Sequence, residues 1–237
     1  MNSGTTVRVW DIPTRVFHWL LVILIGCGYV SYRFSEAVGD NTMQWHRYNG
    51  YAVLVLIVWR LLWGVAGSST SRFSTFVPWP WKAARYGLDL VRGRDRHFLG
   101  HNPLGTYMVL ALLAAVGLQA ILGLFSSEHN FLTWGPLTHL ISEDMTKKIT
   151  HWHHTFFWRG LLVLIGLHIV ANVLYGLVKR EPLIKAMVTG RKPATDYEDA
   201  AEAELVATPI RRALGCLAVA AAIVLGGILA LGGKLFY

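Results

Sequence analysis

Three scarcities frame this chain. Only 15% of its 237 residues are Asp, Glu, Lys or Arg, against about 25% in ordinary soluble domains. Cysteine is almost missing. Cys27 and Cys216 each lie inside an apolar run, which gives no disulfide framework. No Cys-x-x-Cys-His occurs, so covalent c-type haem attachment is excluded. No Asp or Glu stands in the middle of an apolar run, which removes the usual partners of hard cations and proton relays inside a membrane. Internal repeats, iron–sulfur cysteine clusters and flavin or nicotinamide motifs are absent too.

What is present is apolar length. Hydrophobic residues make up 54% of the chain. They gather into five runs near the twenty or so residues that a bilayer requires. The runs extend from about Thr14 to Phe34, Trp45 to Ala66, Leu104 to Phe125, Thr150 to Val178 and Ile210 to Gly233. Leu24-Ile25-Gly26-Cys27 has the look of a lipoprotein cleavage site, but the run around it reads better as a first transmembrane helix. Asn102 suits the N-cap of the third helix and Pro103 its first position.

The formal charge of +8 does not point to nucleic acid, because the basic residues flank the apolar runs and there encode topology. Arg72, Lys82, Arg85, Arg92, Arg94 and Arg96 lie between runs two and three; Lys179, Arg180, Lys185, Arg191 and Lys192 follow run four. The opposite side has little: Arg33 and Arg47 at the first outer loop, then Lys147 and Lys148. The expectation is a multi-pass protein of the bacterial cytoplasmic (inner) membrane, N-terminus cytoplasmic and C-terminus periplasmic. Ten tryptophans, many at run ends, fit an interfacial belt.

The expected fold class is all-α integral membrane: a four-helix transmembrane bundle with a fifth C-terminal transmembrane helix. Residues 1–190 form the bundle domain. Residues 191–209 are an acidic cytoplasmic linker, and 210–237 hold the fifth helix, which suits peripheral packing or partner docking. A homodimer and a hetero-complex are equally open.

Four histidines carry the chemistry: His18, His46, His154 and His168. Ionisable residues inside spans are costly and mark function, and neutral imidazole is the commonest metal ligand. His154 and His168 are fourteen residues apart, almost four helical turns, so they share a side and are separated by roughly 21 Å along the axis. Orientation places His18 and His168 on the cytoplasmic side, His46 and His154 on the outer side. The expected ligand pairs are His18 with His168 and His46 with His154, each closing the axial positions of a haem iron. Such a haem suits electron transfer rather than oxygen chemistry. On an unbroken helix His154 is offset about 40° from the direction of His168, His153 about 60° and His151 about 100°. His154 is favoured, with His153 as the alternative.

Gly50, one turn after His46, is a candidate cradle for a haem, and Gly160 and Gly166 are similar. Arg60 and Arg15 are candidates for pairing with haem propionates; for Arg60, snorkelling to lipid phosphate is an equal alternative. A bound quinone is a further candidate cofactor. Its titratable neighbours would be His151, Glu143 and Asp144 outside, or His97, His101 and Asp95 inside.

Several motifs resemble the bacterial cytochrome b561 family and the related cytochrome b subunits of nickel-iron hydrogenases. They are Val16-Phe17-His18-Trp19, Trp45-His46-Arg47-Tyr48-Asn49-Gly50-Tyr51, Trp59-Arg60-Leu61-Leu62-Trp63-Gly64, Gly100-His101-Asn102-Pro103-Leu104-Gly105, and the stretch from His154 through His168. Together they cover roughly residues 7 to 190. The His151-Trp152-His153-His154 cluster is richer than the family's single histidine. The resemblance implies two haem b groups passing electrons between a quinone pool and a redox partner: a periplasmic cytochrome c, a hydrogenase-like oxidoreductase, or superoxide as donor. Two other classes compete. A histidine-based metal or proton transporter would call for acidic residues inside the spans; a non-redox membrane anchor would leave four histidines without a role.

Overall fold

The computed structural model describes residues 5–35, 42–94, 96–128, 133–200 and 206–236. Asp95, and residues 201–205 of the expected linker, lie outside these. Among the described residues, five helices are long and apolar enough to cross a membrane. They are α1 (Ile12–Arg33), α2 (Thr42–Ala66), α4 (Pro103–Leu124), the pair α5 (Glu143–Phe156) and α6 (Leu162–Val178) joined in one 36-residue rod, and α8 (Pro209–Ala230). Four match the apolar runs to within three residues at each end. The fourth span begins seven residues earlier than its apolar run. There Ser142 caps α5, its hydroxyl accepting from Met145 N–H, and Glu143 and Asp144 complement the first turn.

Two features were not legible locally. The loop after α2 contains α3 (Pro80–Val91), an amphipathic helix opened by proline. Between α5 and α6, Phe157–Leu161 forms a π turn, with one residue more than an α turn would hold.

The chain divides into two compact units, and each long span contributes to both. One comprises Met1–Val16, Leu61–Ala111 and Leu164–Leu214. Strand β1 (Thr6–Arg8) pairs antiparallel with β4 (Arg191–Pro193), Val7 opposite Lys192. Behind this ribbon, Val9, Trp10, Leu99 and Ala186 form a core. The turn from α7 (Leu183–Thr189) into β4 is made by Gly190 at φ +77°, a left-handed conformation that glycine adopts without strain. Its carbonyl accepts from Val9 N–H at 2.9 Å. Asp11 caps α1 through Thr14 N–H at 2.8 Å. Asn102 caps α4 through Gly105 N–H at 2.7 Å, with Pro103 following as the sequence predicts. Lys192 is buried in this unit, donating to the Phe98 carbonyl at 2.8 Å. Burial pushes its amine below the usual lysine range, and the nearby Glu181 and Asp199 carboxylates oppose that shift.

The other unit comprises Phe17–Arg60, Leu112–Val163 and Gly215–Tyr237. Its core joins Tyr51 of α2, Leu137, and Val224 and Ile228 of α8. Val224 and Ile228 are one turn apart, so the second half of the fifth helix seats a single face against this core. Short strands β2 (Ser127–Glu128) and β3 (Thr133–Trp134) pair antiparallel after α4.

Candidate functional site

The second unit holds a cleft of about 160 Å³, lined by His46, His153, His154, Gly50, Gln119 and Glu128 among others. His46 stands at the start of α2. Its Nδ1 lies 3.0 Å from the Gly28 carbonyl of α1. A carbonyl only accepts, so Nδ1 carries the proton and Nε2 keeps its lone pair. Gly28 also leaves room for Asn49, whose amide nitrogen would stand 2.9 Å from a Cβ there. Ser31 Oγ also donates to the Gly28 carbonyl, at 3.1 Å.

His153 is held in the same way. Its Nδ1 lies 3.0 Å from the Gln119 carbonyl. The Gln119 side-chain amide donates to the His153 carbonyl at 3.0 Å. That amide nitrogen also lies 3.1 and 3.3 Å from the two ring nitrogens; the carbonyl settles the tautomer, since it cannot donate. A Cβ at position 123 would lie 3.3 Å from His153 Cε1, so Gly123 leaves room for the ring.

The His46 and His153 ring centroids lie 6.3 Å apart with their planes at 90°. A metal bound by two opposed imidazoles at roughly 2 Å each needs ring centres about 6 Å apart. Nδ1–H donated to a carbonyl is the usual outer support of a metal-binding histidine. The Cβ of a residue at position 50 would meet nothing within 4 Å, which leaves space beside His46 for a flat group. These observations fit an iron porphyrin.

His154 packs against Tyr32, centroids 5.0 Å apart, and lines the same cleft beside His153, their ring centroids 5.9 Å apart.

The remaining candidates divide clearly. His18 on α1 packs edge-on against Trp19, centroids 4.9 Å apart. His168 on α6 is half-buried, with Asn172 donating to its carbonyl at 2.7 Å. Arg60 is 3% exposed, so it does not snorkel outward. Arg15 donates to the Val188 carbonyl at 2.6 Å. The space beside Gly160 is taken by the Phe156 ring, whereas Gly166 borders open space. His151, Glu143 and Asp144 are exposed, and Glu143 pairs with Lys147 at 2.9 Å. His97 pairs with Glu181 at 2.9 Å, and His101 lies between Trp10 and Phe76 at 4.7 and 4.9 Å.

Three residues of the cleft escape a search for metal ligands. Gln119 supplies the carbonyl behind His153. Tyr32 covers His154. Glu128 is a carboxylate lining the cleft, its only sequence signal being its position just past the outer end of the third span.

Five membrane-length helices and an imidazole pair spaced for iron define a class: integral membrane haem proteins. Sequence comparison agrees. The model of the family described as prokaryotic cytochrome b561 matches residues 9–190, and the chain belongs to that family. It is therefore a multi-pass membrane protein that binds haem b and takes part in electron transport. Similar curated proteins are named probable Ni/Fe-hydrogenase B-type cytochrome subunits. That of Bradyrhizobium diazoefficiens is 25% identical over 81% of this chain and 87% of its own length. That of Azotobacter vinelandii is 26% identical over 80% and 90%, and that of Escherichia coli K12 is 23% identical over 77% and 88%. No solved structure matches significantly.

Proposed function

We propose that this chain is a dihaem cytochrome b that carries electrons across the cytoplasmic membrane between the quinone pool and a redox enzyme on the periplasmic face. The observation that carries this reading is the His46–His153 pair, 6.3 Å apart in a cleft with space beside Gly50. His46 and His153 hold the outer haem b. His18 and His168 hold the inner one; their support is matched depth, each about a turn or more inside the cytoplasmic end of its span. The haem supplies a one-electron couple when bound. The chain supplies the rest. The Gly28 and Gln119 carbonyls keep both imidazoles in the tautomer that presents Nε2. With both histidines bound to it, a haem iron would have no position left for oxygen, which would suit it to electron transfer. The buried cation of Arg60 favours a propionate in an otherwise apolar setting.

Residues 1–190 then form the dihaem domain, 191–209 its cytoplasmic linker and 210–237 an added fifth helix. The basic loops support a cytoplasmic N-terminus and a periplasmic C-terminus. The relatives' names favour a hydrogenase-like enzyme as the partner over a periplasmic cytochrome c or superoxide.

The test is a pyridine haemochrome assay on purified protein beside His18→Ala, His46→Ala and His168→Ala. The expected result is two haem b per chain, falling to one in each variant. One haem in the parent, or both retained in any variant, overturns the dihaem assignment.

A further inference from the structure

We infer that the face built by α3 and the Ser69–Val77 segment binds the headgroup of an anionic phospholipid, with the outer side of α3 immersed in the same leaflet. This site includes none of His18, His46, His153, His154 and His168 and does not depend on their role.

The inference starts from the two faces of α3. Ala83, Tyr86 and Asp89 point inward, each at most 6% exposed. The opposite side is apolar as well. Trp81, Ala84, Leu88 and Val91 fall within an arc of about 80°. Trp81 is 63% exposed, Leu88 57% and Val91 87%. Trp79 precedes them and stacks on Trp81 with centroids 5.0 Å apart. A helix with one apolar face on the protein and another uncovered suits the boundary between headgroups and acyl chains, where tryptophan is enriched.

Charge selects the lipid. Arg85 lies on the flank between the two faces and Lys82 is exposed in the first turn; neither makes an ion pair among the described residues. Both line a polar cavity of about 750 Å³, together with Ser74, Thr75, Trp79 and His101. The other charges bordering it are satisfied. Arg96 bonds Glu198 at 2.6 Å and lies 3.5 Å from Asp89, while the Asp199 carboxylate accepts from Leu99 and Gly100 N–H. Two unpaired cations beside hydroxyl donors form a site for a phosphodiester, and the tryptophans and Leu88 give its acyl chains a place to lie.

Native mass spectrometry of the full detergent-purified chain tests this, with phosphatidylglycerol or phosphatidylcholine added. The parent protein is expected to retain phosphatidylglycerol preferentially. Lys82→Gln/Arg85→Gln is expected to weaken that retention about tenfold or more, at roughly 1 kcal/mol per basic residue near a lipid surface, with phosphatidylcholine adducts and the Soret spectrum unchanged. Both side chains are exposed, so the unchanged spectrum checks that the variant still folds. Equal retention of the two lipids, or a variant equal to the parent, overturns the site. Displacement of phosphatidylglycerol by equimolar glycerol 3-phosphate overturns the lipid assignment in favour of a soluble phosphate ester.

Discussion

The ring centroids of His46 and His153 lie 6.3 Å apart with their planes at right angles, while the neighbouring His154 lies against Tyr32. The first prediction separates adjacent histidines. His153→Ala is expected to lose one of two haems per chain and His154→Ala to keep both, measured by pyridine haemochrome. The reverse pattern would assign the ligand to His154.

A second prediction concerns the cradle. A Cβ at position 50 meets nothing within 4 Å, so Gly50→Ala is expected to retain its haem complement. Gly50→Leu projects its side chain into the space beside His46 and is expected to release the outer haem alone. Haem per chain and the loss of one component in a redox titration report this. Full occupancy in the leucine variant would remove Gly50 from the site.

A third prediction is structural. A Cβ on Gly64 would overlap the ring of Phe73. Gly64→Ala is therefore expected to cost roughly 1–3 kcal/mol, in the range of core overpacking. Phe73→Ala in the same chain should recover part of that loss, because contacting sites are not additive. Thermal unfolding of the two single variants and the double variant in one detergent measures the coupling; simple additivity would refute the contact.

Acid provides a fourth. Arg96 donates two bonds of 2.6 Å to the Glu198 carboxylate. This bonding holds Glu198 below its ordinary value, chiefly by the hydrogen bonds and secondly by charge. A carboxyl depressed on folding adds stability above its unfolded value, near 4.3, and loses it as pH falls through the folded value. Glu198 is well exposed, so the contribution is small. Glu198→Gln is expected to flatten the decline in melting temperature below about pH 4.5 without changing the neutral plateau's shape. An unchanged acid limb in the variant would show that the pair contributes nothing.

The spans were legible because twenty apolar residues leave a chain few alternatives, and the Asn102-Pro103 cap marked one boundary closely. The start of α5 was obscured because Glu143 to Lys148 is polar, and only its cap betrays a helix. The π turn was hidden for another reason. An angular count assumes 3.6 residues per turn throughout, and nothing in Phe157-Trp158-Arg159-Gly160-Leu161 announces a wider turn. The amphipathic α3 lay inside a segment whose tryptophans and prolines read as loop. Glu128 could be noticed only once β2 brought it to the cleft that His153 lines.

The β1–β4 ribbon bears on how the protein is made. Thr6 and Arg191, bonded side chain to side chain, are 185 residues apart. At a synthesis rate of 5–20 residues per second the first strand waits roughly 10–40 s for its partner. By then four spans have left the ribosome. The ribbon and the small core behind it can close only after all the histidine-bearing helices have been synthesised, so closure of this unit is a late event in the making of the chain.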